Sequence, residues 1–146
     1  MSLQFTPYLI FNGQCREAFE FYRSVFGGRI EAMMGFRDTP MAGHAPPGAE
    51  DDIMHACLII DGQSADGHTL MGSDSCGQPY VKPQGQHISI QVDTPEDAER
   101  IYAALSDQGA IAMELQETFW AKRFAMFTDR FNIPWMINCP CELRKE

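Results

Sequence analysis

The chain has 146 residues, 45% hydrophobic and 11% aromatic, and a formal net charge of −9 from 20 acidic against 11 basic residues. That length suits one domain or two small modules sharing a core, and the apolar fraction is large enough to bury a sizeable interior, which excludes a disordered chain. The negative balance would repel a phosphate backbone or an anionic membrane over most of the surface, so neither nucleic acid nor membrane is expected as a partner.

No apolar run approaches the roughly 20 residues that span a bilayer. The opening MSLQFTPYLIF lacks the basic start and small-residue cleavage site of a signal peptide, so a cytoplasmic location is expected. Cys15, Cys57, Cys76, Cys139 and Cys141 are odd in number and show no scaffold spacing, in keeping with a reducing compartment.

In chain order, FTPYLIFNG reads as a strand closed by an Asn-Gly turn. QCREAFEFYRSVFGG then changes period. Ala18, Phe19, Tyr22, Val25 and Phe26 fall on one helical face, and Gly27 and Gly28 supply a left-handed stop. RIEAMMGF is a strand, and RDTPMAGHAPPGAEDD gathers proline, glycine and acid into a solvated loop. IMHACLII is a strand closed by Asp61-Gly62, with HTLMGSD as its hairpin partner across a lengthened connection.

The order of elements then begins again. QHISIQV is a strand, and TPEDAERIYAALSDQG is a helix with Thr94 as N-cap, Pro95 at its first position and acids in its first turn. Its buried stripe is Ala98, Ile101, Tyr102 and Leu105, and Gly109 ends it. AIAMEL, RFAMFT and PWMIN are three further strands, separated by the ETFWAK loop and a DRFN turn in which Asp129 bonds its own backbone. The chain therefore reads βαβββ twice. At an offset of 81 residues, Gly28-Arg29-Ile30 aligns with Gly109-Ala110-Ile111, each at a helix exit; the repeat rests on element order more than on identity. The expected organisation is module one over 1–76, a Gly-, Pro- and Gln-rich linker over 77–86 and module two over 87–141.

PYLIFNGQCREAFEFYRSVFGG, MHACLIIDG followed by LMGSD, and QETFWAKRFAMFTDRFNIPWMIN together resemble the PhnB-like branch of the vicinal oxygen chelate superfamily, which includes glyoxalases, bleomycin-resistance proteins and extradiol dioxygenases. The resemblance covers nearly the whole chain. It implies an α+β fold of two βαβββ modules whose curved mixed sheets form a cleft, a small-molecule ligand and commonly a homodimer. Fold does not fix chemistry. The methyltransferase name that some members of this branch carry finds no glycine-rich cofactor turn in Phe11-Asn12-Gly13-Gln14 and no doubly wound sheet.

Strand alternation places His87, Ser89 and Gln91 on one side, away from the helix-facing Ile88, Ile90 and Val92. By the same rule His55 and Cys57 oppose Met54, Ala56 and Leu58, and Met136 and Asn138 oppose Trp135 and Ile137. The resemblance implies a divalent metal at four strand positions that here read Pro7, Cys57, His87 and Met136. Only His87 keeps the expected type and Cys57 is a substitute, so a metal is not favoured and the cofactor is left open. Cys57 as a small buried hydrophobe and His87 as a hydrogen-bonding pocket residue is the plainer account.

Glu117, beside Phe119 and Trp120, would be partly desolvated and suited to proton transfer as a general base, or else would cap a turn or pair with Lys122 or Arg123. Phe119 and Trp120 are placed to stack on a flat ligand, or to serve core or interface. Whether the chain is an enzyme is left open. The favoured expectation is binding of a small apolar or aromatic molecule through His55, His87, Ser89, Phe119, Trp120, Met136 and Asn138. The alternative is a metal-dependent lyase, isomerase or dioxygenase using Glu117 and a metal on His87 and Cys57.

Overall fold

The computed structural model describes residues 3–60 and 68–141. The chain divides into two compact units, Met1–Val81 and Lys82–Glu146. In the first, β1 (Tyr8–Phe11) leads into α1 (Cys15–Phe26), then β2 (Arg29–Gly35), β3 (Ile53–Ile60) and β4 (His68–Asp74), with two short 3-10 turns between β2 and β3. In the second, β5 (Ile88–Gln91) leads into α2 (Pro95–Leu105), then β6 (Ala110–Gln116), β7 (Ala121–Thr128) and β8 (Pro134–Pro140). The βαβββ order read from the sequence is thus present twice. The Asp61-Gly62 turn expected between β3 and β4 lies outside the described residues.

Each unit forms a four-stranded mixed sheet of the same topology, ordered β1-β4-β3-β2 and β5-β8-β7-β6. The first strand of each unit pairs in parallel with the last, and the remaining neighbours are antiparallel. In each unit the crossover helix covers one sheet face. Under α1 lie Phe11, Ala56, Leu58 and Leu70, meeting Phe19 and Tyr22 from the helix. Phe11, Phe19 and Tyr22 make a ring cluster with the Phe11–Phe19 and Phe19–Tyr22 pairs edge-on at 6.0 Å. Under α2 lie Ala125, Phe127, Trp135 and Ile137, meeting Ala98, Ile101 and Leu105.

The two helix starts are satisfied in different ways. Thr94 Oγ1 accepts from Asp97 N at 3.1 Å, the local cap expected from the sequence. The residue before α1, Gln14, offers no side-chain cap. Instead the buried Asp74 at the end of β4 accepts from Cys15 N at 2.9 Å and from Ile53 N at 2.8 Å, tying helix start, third strand and fourth strand together.

Three boundaries differ from the sequence reading. Helix α2 stops at Leu105 rather than at Gly109, because Ser106 already returns its N–H to Tyr102 O and the left-handed residue is Gln108, at φ 65°. Strand β7 begins at Ala121, so the loop shrinks to residues 117–120, closed by Thr118 N donating to Ala121 O. His87 lies one residue before β5.

Candidate functional site

The face of each sheet turned away from its helix carries His55, Cys57, Ser89, Met136 and Asn138, and strand register shows which of them are neighbours. Residues directly opposite on paired strands share a face. On the second sheet one cross-strand row runs Ser89, Met136, Met126, Met113. The next row runs Gln91, Asn138, Phe124, Gln116. The alternation expected for β8 is present: Trp135 and Ile137 are fully buried towards the helix, whereas Met136 and Asn138 are partly exposed.

The first row is soft and apolar, since three adjacent thioethers are flexible and polarizable and adapt to irregular shapes. The second row is ordered by hydrogen bonds. Asn138 Nδ2 donates to Gln91 Oε1 at 2.8 Å and Gln91 Nε2 donates to Ser89 Oγ at 3.0 Å. At the β6–β7 hairpin, Phe119 is 93% exposed and Trp120 45% exposed. Phe119 meets Trp120 edge-on at 4.8 Å, and Trp120 meets Phe124 edge-on at 5.3 Å, so an aromatic staircase descends from the loop onto the sheet face. Phe124 is buried for that reason.

On the first sheet the corresponding row is Tyr8, Met71, Cys57, Ala32. His55 stands beside it with its ring stacked on Tyr8 at 5.9 Å and its Nδ1 within 3.3 Å of the Tyr8 hydroxyl. Cys57 is buried at 6% exposure. Burial, and after it the nearby Glu31 carboxylate, pushes its thiol up, with Arg29 opposing.

The four positions at which the family resemblance implies a metal do not fit one. The Pro7 carbonyl accepts from Met71 N at 3.0 Å and its side chain has no donor. Met136 offers a thioether, a poor ligand for a hard divalent ion, and Cys57 puts a soft, buried thiol where the resemblance implies His or Glu. His87 alone keeps the expected ligand type. Among the described residues no group of three or more His, Cys, Asp or Glu side chains is placed to hold an ion.

Glu117 is exposed on the β6–β7 hairpin. Arg123, one of its expected partners, bonds Glu99 at 3.3 Å. His87 is exposed at the entry to β5. The sequence reading missed Tyr8, Met113, Phe124 and Met126. The alternation of RFAMFT was signal enough for Phe124 and Met126. Met113 carried no such signal, because an irregularity between Ile111 and Met113 is what brings it level with Met126.

A family model, the Glyoxalase/Bleomycin resistance protein/Dioxygenase superfamily, matches residues 4–137. Protein YjdN of Escherichia coli strain K12 is 31% identical over 141 residues, which is 91% of this chain and 92% of that protein. The crystal structure of protein PA1353 from Pseudomonas aeruginosa is 46% identical with a TM-score of 0.85, covering 97% of this chain and all of that one. A PhnB protein from Bacillus cereus that carries a 3-demethylubiquinone-9 3-methyltransferase name shares the fold, with a TM-score of 0.75 at 23% identity over 94% of this chain and 99% of that one. The chain belongs to the glyoxalase/bleomycin resistance/dioxygenase superfamily, the vicinal oxygen chelate group, and its fold is that of PA1353 and the PhnB protein.

Proposed function

We propose that the protein binds a small apolar or aromatic molecule, without a metal, on the open face of its second sheet. The observation that carries this reading is the combination on one face of an adaptable methionine row, an exposed aromatic pair and an ordered polar row. Burial against Met113, Met126 and Met136 supplies affinity, Phe119 and Trp120 stack on a flat ring, and Ser89 and Asn138 orient it. His87 borders this face at the start of β5. On the first sheet, by itself, His55 and Tyr8 form a separate stacked polar pair. Glu117 takes no part.

A thermal-shift screen of flat aromatic compounds against protein purified without chelators tests this. A ligand at about 100 times its Kd adds about 2.7 kcal/mol to native stability, a shift of several degrees in a chain of this size. The shift is expected to shrink in Trp120→Ala. Elemental analysis of the same protein is expected to show metal well below one equivalent. Stoichiometric metal that is lost in His87→Ala would sink the metal-free reading and favour a metal-dependent enzyme.

A further inference from the structure

Among the described residues, one buried side-chain polar atom on the open face of the second sheet lacks a partner. Asn138 Oδ1 is sealed from solvent and accepts no hydrogen bond. The other half of the same carboxamide is engaged through the chain from Asn138 Nδ2 to Gln91 Oε1, and from Gln91 Nε2 to Ser89 Oγ. The chain runs in this direction in the structure, and turning Asn138 over by itself would press two amide oxygens together; reversal needs Asn138 and Gln91 to turn over together with the Ser89 hydroxyl donating. The outcome is an oriented acceptor in a low-polarity setting, which is destabilising unless a donor reaches it.

What surrounds it suggests what the donor belongs to. Phe124 lies directly opposite Asn138 across the β7–β8 pair, and Trp120 lies edge-on over Phe124. Met136 and Met126 form the adjacent row. Resting on the binding reading above, we infer that Asn138 Oδ1 is the specificity-determining acceptor of this face, and that the ligands it selects are flat aromatic compounds with an N–H or O–H donor on the ring edge. Trp120, half-exposed and edge-on to Phe124, stacks on the ligand. Gln91 and Ser89 are positioning residues that keep the oxygen, rather than the amide nitrogen, turned towards it. A site built this way rejects an isostere without the donor, because the acceptor is then buried unpaired.

Three probes of one shape separate the outcomes: indole, with a ring N–H; 1-methylindole, with that donor blocked; and benzofuran, with an acceptor oxygen in its place. Their affinities are measured by NMR titration of isotope-labelled protein, in which the Asn138 and Gln91 side-chain amide signals report the contact directly. Indole is expected to bind about five- to tenfold more tightly than either analogue. That preference is expected to vanish in Asn138→Leu while the affinity for 1-methylindole holds. Asn138→Asp retains an acceptor, with Gln91 turning over to donate its Nε2 to the carboxylate and to accept from the Ser89 hydroxyl, and is expected to retain the preference, which decides the matter should the leucine variant not fold. Equal binding of all three probes overturns the role of Asn138 and leaves the binding reading intact. Benzofuran bound more tightly than indole overturns it in another way, by revealing an amide chain of reversed polarity that presents a donor. If no probe shifts signals from this face, the binding reading and the role of Asn138 fail together.

Discussion

Two buried aspartates show how far single residues carry the fold. Asp129 Oδ1 accepts from Phe131 N at 2.8 Å and Ile133 N at 3.0 Å, and its Oδ2 accepts from Trp135 Nε1 at 2.9 Å. The turn role was legible in the sequence, as Asp in a short connection bonds backbone nearby; the tryptophan contact follows once Trp135 faces inward. Asp74 was not legible, since its partners Cys15 and Ile53 are 59 and 21 residues away. Its carboxylate also stands near the Cys15 thiol, which burial first and Asp74 second push well above the ordinary thiol range, so Cys15 stays protonated. Asp129→Ala is expected to lower stability by about 3 kcal/mol, because it strands several buried donors. Asp74→Ala is expected to cost about 2–3 kcal/mol, more than the ~1 kcal/mol for Thr94→Ala, whose exposed helix start water can satisfy. Urea unfolding of the three variants checks this; an Asp74→Ala loss no larger than that of Thr94→Ala would remove its role as a remote cap.

At the scale of elements, the 81-residue repeat has a physical basis that its slight identity conceals. A Cβ on Gly28 would collide with the Ile59 carbonyl oxygen, and one on Gly109 with the Thr128 carbonyl oxygen, each in the third strand of its own unit. The same offset relates two strand irregularities, between Ile30 and Ala32 in β2 and between Ile111 and Met113 in β6. Each inserts one extra residue against its partner strand and so turns the following side chains to the other face. Gly28→Ala and Gly109→Ala are both expected to destabilise by about 2 kcal/mol or more, because the obstacle is backbone that cannot yield without breaking the strand pair. Gly28→Ala is expected to cost about 1 kcal/mol beyond that, for its φ of +91°. Denaturation midpoints measure both. A neutral Gly109→Ala would show that the close approach is not structural.

For the whole molecule, the remaining question is what its exposed apolar side chains do. Leu3, Phe5 and Val81 are each more than 70% exposed, and Tyr8, Ile10 and Ile111 are also open. Isolated apolar side chains on a surface are ordinary, but this many large ones are in keeping with self-association. We propose a homodimer, for which sedimentation at micromolar concentration is expected to give twice the 16.4 kDa chain mass. A species of one chain mass across that range would refute it. No helix among the described residues is long and apolar enough to cross a membrane.

The sequence by itself determined the element order, the two helices with their buried stripes and the inward or outward sense of β3, β5 and β8. Each of these depends on a period of 2 or 3.6 residues, or on a cap within one turn, and such signals are complete within a short window. Only the tertiary structure decided the cap of α1 by Asp74, the arrival of Met113 in the methionine row, the stacking of Tyr8 on His55 and the unpartnered oxygen of Asn138. Those depend on register between distant strands, and a single extra residue in one strand reverses which side chains meet.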